Sequence, residues 1–112
     1  MSTLPDEFKI AIDNRDDTAV VRVVGEVDLA THEELAEKLQ QAAGLAGAIV
    51  YHLSECPFID SSGIRALLLG ARESACFLIA GAGDQVARVL EMTGVTQAVP
   101  VHASVEQALE SI

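Results

Sequence analysis

The chain has 112 residues, a length typical of one domain, and 50% of them are hydrophobic. Its formal net charge is −10 at pH 7. Such an anion repels phosphate backbones, which argues against direct binding to nucleic acid or an anionic membrane and favours a basic patch on a protein partner.

The composition also indicates where the chain works. Its apolar runs are far shorter than a membrane span, and Met1–Glu7 lacks the basic start and apolar core of a signal peptide. Cys56 and Cys76 form no CxxC pair, and together with the scattered histidines they have no metal-ligand spacing. We therefore expect a cytoplasmic protein with free thiols, no metal, no cofactor and no membrane insertion.

The first predicted elements form a β-hairpin. Phe8, Ile10 and Ile12 alternate with polar or small residues, which predicts a half-exposed edge strand. A turn signal follows at residues 14–17, and Ala19–Val24 is almost wholly apolar and β-branched, as in a central strand. Two strands this close in sequence indicate a hairpin.

A helix and a third strand are predicted next. Thr31 and Glu34 have the spacing of a capping box, and an apolar stripe then continues to a stop near Gly44. Ala48–Leu53 has the composition of the next strand. Pro57 favours a loop after that strand because proline has no amide proton to donate.

The most informative stretch is a polar helix start. Asp60, Ser61, Ser62 and Gly63 precede apolar residues at helical spacing, which predicts a helix from about Ser62 to about Ser74. The hydroxyls fall where the first amides of a helix have no internal partner. They can cap the helix, and an exposed serine there can also carry a phosphate. We expect Ser61 at the exposed cap or first position, and Ser62 to point toward the helix amides as a cap.

The remaining elements continue the alternation of strands and helices. Cys76–Ala80 is a short apolar strand that ends in the Gly81–Gly83 loop. Asp84 is the expected cap of the following helix, with Gly94 as its C-terminal stop. A short strand or link follows at residues 99–101.

A Ser104–Gln107 capping box opens the last helix. The complete order is β, β, α, β, α, β, α, short β, α. It predicts the α/β class, with a single domain over residues 1–112 and a mixed, mainly parallel sheet of four to five strands covered by about four α-helices.

Right-handed crossovers should bring three strand-to-helix loops to one edge of the sheet: those of Asp28, Asp60–Ser61 and Gly81–Gly83. The carboxylates of Asp28 and Asp60 could be a paired acid–base site, but loop-end carboxylates that shape a docking surface are the simpler interpretation. The Gly81–Gly83 loop lacks the third glycine of a dinucleotide fingerprint, so a turn accounts for it.

Catalysis by a serine nucleophile lacks its usual signature. No Gly-x-Ser-x-Gly elbow surrounds Ser61, and no periodicity brings His52 toward that hydroxyl. His52 is instead interpreted as a polar residue near a strand end. The sequence also contains no Walker loop, so nucleotide hydrolysis has no support.

Three blocks of the chain form a recognisable set: Gly25–Thr31, Phe58–Gly63 and Val86–Val95. Together they resemble the STAS family, and more narrowly the bacterial anti-sigma factor antagonists. Their order and spacing match over nearly the whole chain. Each block alone is weak evidence, whereas the three together are specific.

The resemblance implies partner switching. In this family the unphosphorylated antagonist binds an anti-sigma factor that is also a serine kinase, and a sigma factor is freed. Phosphorylation by that kinase, which uses ATP, ends the complex, and a serine phosphatase restores it. By position the acceptor is Ser61, and the implied partner-binding residues are Asp28, Asp60, Ser61, Ser62 and Gly63. The resemblance implies no catalytic residue and no cofactor in the chain itself.

Two segments depart from the family pattern. The strand before the serine block usually ends in Asp-Leu-Ser, whereas this chain has His52-Leu53-Ser54, which removes one acid near the site. The segment Gly70–Phe77 is shorter than usual and lacks a glycine-containing turn, so we expect an early end to the helix. The surface beside the serine helix is therefore expected to differ from that of other family members.

Two other classes of function would use the same face of the domain. A STAS protein that is never phosphorylated could be a scaffold of a stress-signalling complex or an accessory subunit of a lipid-transporting ABC system, and would dock constitutively. An enzyme acting through Ser61 is the third possibility. An esterase screen with Ser61→Ala as control separates that possibility from the other two.

Overall fold

The computed structural model describes residues 8–112, in which a five-stranded sheet is covered by five helices. The strands follow chain order across the sheet; the first pair is antiparallel and the others are parallel. The predicted α/β class and mixed, mainly parallel sheet are confirmed, while the prediction for Met1–Glu7 lies outside the described residues. The elements are β1 Lys9–Arg15, β2 Thr18–Val24, α1 His32–Leu45, β3 Ala48–Glu55, α2 Ser61–Glu73, β4 Phe77–Ala80, α3 Asp84–Met92, α4 Val95–Ala98, β5 Val101–His102 and α5 Val105–Glu110.

The predicted hairpin is formed by β1 and β2, and β1 is an edge strand. Its turn is shorter than the predicted one, because the strands stay paired as far as Arg15 and Thr18. Asp16 has a φ of 57°, in the left-handed region that aspartate tolerates better than most residues. The carboxylate of Asp17 accepts a hydrogen bond from the Gly47 amide at 3.0 Å, which ties the hairpin turn to the start of β3.

The main core lies between the sheet and helices α1, α2 and α3. Successive side chains of a strand point to opposite faces, so alternate residues of β2 and β3 enter this core. Leu35 and Leu39 of α1, Leu67 of α2 and Leu90 of α3 are fully buried against them. The strand residues are Val21, Val23, Ile49, Tyr51 and Leu53.

A smaller core covers part of the opposite face. Val105 and Ala108 of α5 pack on Val50 of β3 and Leu78 of β4. Because α5 has only 6 residues, it does not cover the whole face. A groove remains beside it over β1 and β2, and His52 of β3 lies in this groove.

Two predicted helix caps are wrong. Thr31 precedes α1, but its φ of −115° and ψ of −12° are not the extended values that a capping side chain needs, so the box with Glu34 does not form. The Thr31 hydroxyl bonds to the preceding loop instead. Asp84 is already the first residue of α3, and Gly83 holds the extended cap position.

The predicted Ser104 cap of α5 is confirmed, and the return bond from Gln107 reaches the residue before the cap. The Ser104 Oγ accepts a hydrogen bond from the Gln107 amide at 3.1 Å, and the Gln107 side chain accepts one from the Ala103 amide at 3.2 Å. Extended backbone at Ser104 makes this geometry possible. The predicted stop at Gly94 also holds, since its φ of 83° is a conformation that side chains with a Cβ disfavour.

One helix was not predicted, and one strand extends beyond its predicted limit. The short α4 follows Gly94 directly and was not predicted, and it brings the helix count to five instead of about four. β3 continues past Leu53 because the Glu55 carbonyl accepts the Gly25 amide and its carboxylate pairs with Arg22.

In the described part of the chain, no helix has the length and apolar character needed to cross a membrane.

The Tyr51 hydroxyl is fully buried and has no hydrogen-bond partner within residues 8–112. Burial raises its pKa well above the usual value, with a smaller contribution from Cys56. Because an unsatisfied buried hydroxyl costs about 1–3 kcal/mol, we expect Tyr51→Phe to leave stability unchanged or to raise it by about 1 kcal/mol. Urea denaturation at neutral pH measures this change, and a clear loss of stability in the variant would contradict it.

Candidate functional site

The start of α2 is built by Asp60. Its backbone is extended, with φ −108° and ψ −170°, and its carboxylate accepts a hydrogen bond from the Gly63 amide at 3.1 Å. Ser61 is therefore the exposed first residue of the helix, one of the two positions predicted for it, although the helix starts one residue before the predicted start at about Ser62. The prediction that Ser62 caps the helix is wrong, because Ser62 is already inside the helix and the capping position belongs to Asp60.

The two positions differ in their expected effect on stability. We expect Asp60→Ala to lower the free energy of unfolding by about 0.5–2 kcal/mol, as the loss of a cap does, whereas Ser62→Ala should change it by less than about 0.5 kcal/mol. Asp60→Asn should retain most of the stability, since an amide oxygen also caps. Thermal and urea unfolding of the three variants test the assignment, and a larger loss in Ser62→Ala than in Asp60→Ala would reverse it.

The Asp28 loop lies directly beside the start of α2. Val27 pairs in parallel with Ile59, and its amide donates to the Phe58 carbonyl at 3.0 Å. The Asp60 amide donates to the Val27 carbonyl at 3.1 Å. These bonds extend the β2–β3 pairing by one bridge beyond the strands, so Asp28 and Asp60 lie at the same edge of the sheet, as predicted.

The carboxylate and the carbonyl of Asp28 both accept hydrogen bonds from residues of its own loop and of the start of α1. One of its carboxylate oxygens accepts hydrogen bonds from the Ala30 amide at 3.0 Å and from the Thr31 hydroxyl at 3.3 Å. The Asp28 carbonyl accepts the His32 amide at the start of α1. Within residues 8–112 no group of three or more His, Cys, Asp or Glu side chains could hold a metal ion. This arrangement is that of a rigid loop on a surface.

Gly63 and Cys56 help to hold the start of α2 in place. This contribution of Cys56 was not predicted from the sequence. A Cβ added at Gly63 would lie 2.5 Å from Ile59 Cγ1 and 2.7 Å from Val27 Cγ1, so only glycine allows α2 to start this close to the bridge. The buried Cys56 thiol donates to the Phe58 carbonyl at 3.3 Å. Burial raises the pKa of Cys56, so the thiol stays protonated, and both cysteines are free as expected.

His52 does not take part in this site. It lies in the groove on the α5 side of the sheet, where its Nε2 is 2.8 Å from the Ser54 hydroxyl. Burial lowers its pKa, and Arg22 adds to this effect. Since α2 packs on the other face, the change from an acid to His52 alters the α5 face of the sheet and not the face that carries α2. The Gly81 loop follows β4 beside His52, since a Cβ added at Gly81 would lie 3.2 Å from His52 Cδ2 and 3.4 Å from Ser54 Cβ.

Residues 74–76 join α2 to β4. α2 ends at Glu73, and Ser74 turns the chain into extended backbone with a ψ of 144°. Its hydroxyl donates to the Gly70 carbonyl at 2.8 Å. The helix thus ends one residue before the predicted limit, and Ser74 occupies its C-terminal cap.

Comparison with known families decides the classification. A model of the STAS domain matches residues 9–108, which is nearly the whole of this chain. The chain belongs to the STAS family. The first two STAS blocks, Gly25–Thr31 and Phe58–Gly63, are the adjacent loops described above, while the third forms α3 and contributes Val86 and Leu90 to the main core.

Solved structures share this STAS fold. An anti-sigma factor antagonist from Mycobacterium paratuberculosis superposes with a TM-score of 0.90 at 23% identity, covering 99% of this chain and 98% of that one. The anti-sigma factor antagonist SpoIIAA in its unphosphorylated form has a TM-score of 0.76 at 23% identity, covering 94% and 95% of the two chains. Bacillus SpoIIAA in the phosphorylated form has 0.68 at 23%, covering 94% and 98%. At these identities the likeness establishes the common fold.

Proposed function

We propose that this STAS protein is an anti-sigma factor antagonist controlled by phosphorylation of Ser61. In its unmodified form it binds an anti-sigma factor that is also a serine kinase, and a sigma factor is released. The observation that carries the proposal is the exposed Ser61 at the first position of a capped helix, beside the Asp28 loop. The existence of SpoIIAA in unphosphorylated and phosphorylated forms supports it.

The position of Ser61 suits a modification that changes binding without unfolding the domain. A phosphate adds about −1.5 to −2 charges and three acceptor oxygens. At a helix N-terminus the unpaired amides and the helix dipole favour that charge. Because the core of the domain does not include Ser61, the phosphate acts at the contact with the partner, through its bulk and by repulsion of partner acids.

Two partner proteins would catalyse the addition and the removal of the phosphate. The anti-sigma factor supplies the kinase site and consumes ATP, and a serine phosphatase removes the phosphate. The antagonist itself is assigned no catalytic residue, no cofactor and no contact with nucleic acid. Its place of action is the cytoplasm, where a sigma factor is available and the thiols of Cys56 and Cys76 stay reduced. The docking surface consists of Asp28, Asp60, Ser61, Ser62 and Gly63.

The direct test starts from protein isolated from its own host. Intact-mass analysis with site mapping should find one phosphate, located on Ser61. Affinity purification of the unmodified protein should recover an anti-sigma kinase, and addition of ATP should release it. Recovery of a transporter ATPase, or binding that ignores ATP, would overturn the proposal in favour of a constitutively docking STAS scaffold or accessory subunit.

A further inference from the structure

The outward face of α2 carries a shallow groove that begins at Ser61. It encloses about 420 Å³ and follows the helix for three turns, which corresponds to roughly 16 Å along its axis. Its exposed residues, Ser61, Arg65, Leu69 and Arg72, lie on the solvent side of α2, while Ile64 lines the groove and also belongs to the main core. Its lining consists of Ser61, Ile64, Arg65, Leu68, Leu69 and Arg72.

The groove is locally basic on an acidic protein. It contains two of the 7 basic residues in a chain with a net charge of −10. Within residues 8–112 the ion pairs are Arg15–Asp13 and Arg22–Glu55, so neither Arg65 nor Arg72 has a carboxylate partner there. The two arginines are seven residues apart, which places them on one face of the helix two turns from each other.

The groove also presents apolar surface between its two cations. Leu69 is 41% exposed. Leu68 is half-buried beside it, and Ile64 forms part of the buried floor. Leucine flanked by two unpaired guanidinium groups is complementary to a segment that combines apolar side chains with carboxylates.

We infer that this groove receives an acidic segment of the anti-sigma partner, with an apolar anchor against Leu69 and carboxylates against Arg65 and Arg72. The inference rests on the proposed function, whose site is continuous with the groove at Ser61. The net charge of the whole molecule favours a basic partner surface, but the charge of the groove is opposite and selects an acidic one locally. A second copy of the chain is a poor occupant, because two such anions repel each other.

An acidic partner segment in this groove explains how phosphorylation of Ser61 weakens binding. Ser61 and Arg65 are one helical turn apart, so a phosphate on Ser61 lies within reach of the Arg65 guanidinium. The phosphate then competes with the partner carboxylate for Arg65 and repels it. Without a partner acid at this position, a phosphate would add bulk but little repulsion.

The test is the affinity of the purified anti-sigma kinase for matched pairs of variants, measured by calorimetry at low and high salt. We expect Arg65→Glu to bind about 10- to 100-fold more weakly than wild type, whereas Arg88→Glu on the exposed side of α3 changes the net charge equally and should bind as wild type does. Leu69→Ser should bind about tenfold more weakly, and Leu45→Ser, at a leucine 86% exposed at the end of α1, should not. The deficit of Arg65→Glu should shrink in high salt.

The outcomes separate this inference from the proposed function. Equal affinities for Arg65→Glu and Arg88→Glu, with ATP-sensitive binding intact, would overturn the groove assignment and leave the switch in place. A partner that needs Arg65 and Leu69 but ignores phosphorylation would support the groove and overturn the switch. Light scattering of the free protein addresses self-association, and a dimer that Arg65→Glu dissociates would overturn the acidic partner as occupant.

Discussion

Phosphorylation of Ser61 is expected to weaken binding to the anti-sigma partner by at least about 100-fold, which corresponds to roughly 3 kcal/mol. The reason is that the exposed hydroxyl acquires about −1.5 to −2 charges at the contact, and juxtaposed like charges cost several kcal/mol. Ser61→Ala should bind as tightly as the unmodified protein and stay bound in the presence of ATP. Titration of both proteins with and without ATP measures the difference.

Ser61→Asp and Ser62→Ala are the control variants for this experiment. Ser61→Asp adds one negative charge and fewer acceptors than a phosphate, so its affinity should fall between those of the unmodified and phosphorylated proteins. Its melting temperature should stay near the wild-type value, because a helix N-terminus tolerates a carboxylate. Ser62→Ala should still be phosphorylated on Ser61. Equal affinities for wild type, Ser61→Asp and ATP-treated protein would exclude an electrostatic switch at this serine.

Gly63→Ala should lose both stability and partner binding. The added Cβ would lie 2.5 Å from Ile59 Cγ1 and 3.0 Å from the Val27 carbonyl oxygen, and Ile59 and Val27 are 1% and 0% exposed, so neither can move aside freely. Overpacking of this kind costs about 1–3 kcal/mol. The added Cβ also pushes α2 away from the Val27–Ile59 bridge. This displacement moves the Ser61 loop apart from the Asp28 loop.

Gly44→Ala is the matched control, since a Cβ at that position in α1 meets no atom within 4 Å. It should be neutral or more stable by up to about 1 kcal/mol, because alanine is the better helix former. Urea denaturation gives the stabilities, and titration with the partner gives the affinities. If Gly63→Ala were as stable as Gly44→Ala, the close approach of α2 to the bridge would not be the constraint described here.

Several features of the fold could be predicted because their causes are local. The alternation in β1 and the apolar periodicity of α2 depend on side-chain periods of 2 and 3.6 residues, which are visible in the sequence. The order of strands and helices, with right-handed crossovers, then places the Asp28 and Asp60–Ser61 loops at one edge without further information. The Ser104–Gln107 box was equally predictable, since both of its partners lie within a few residues.

Other features depend on atoms that are distant in the chain. The Thr31 hydroxyl faces Glu26 and Asp28 because the loop leaves β2 with a backbone that no short pattern specifies. The choice between Asp60 and Ser62 as cap depended on where helical φ and ψ begin, which the bridge between Val27 and Ile59 determines. Sequence spacing alone places three polar side chains within reach of the same amides.

The sequence by itself determined the α/β class, the serine at a helix start and the resemblance to STAS antagonists, because local periodicity and short motifs carry that information. Only the tertiary structure decided which face each side chain occupies. His52 points to the α5 side because side chains alternate along β3 and its neighbours Tyr51 and Leu53 enter the main core. Arg65, Leu69 and Arg72 form one open groove since α2 buries its other side against α1 and the sheet. Long-range packing determines which face of an element is buried, and the exposed face is then accessible to a partner.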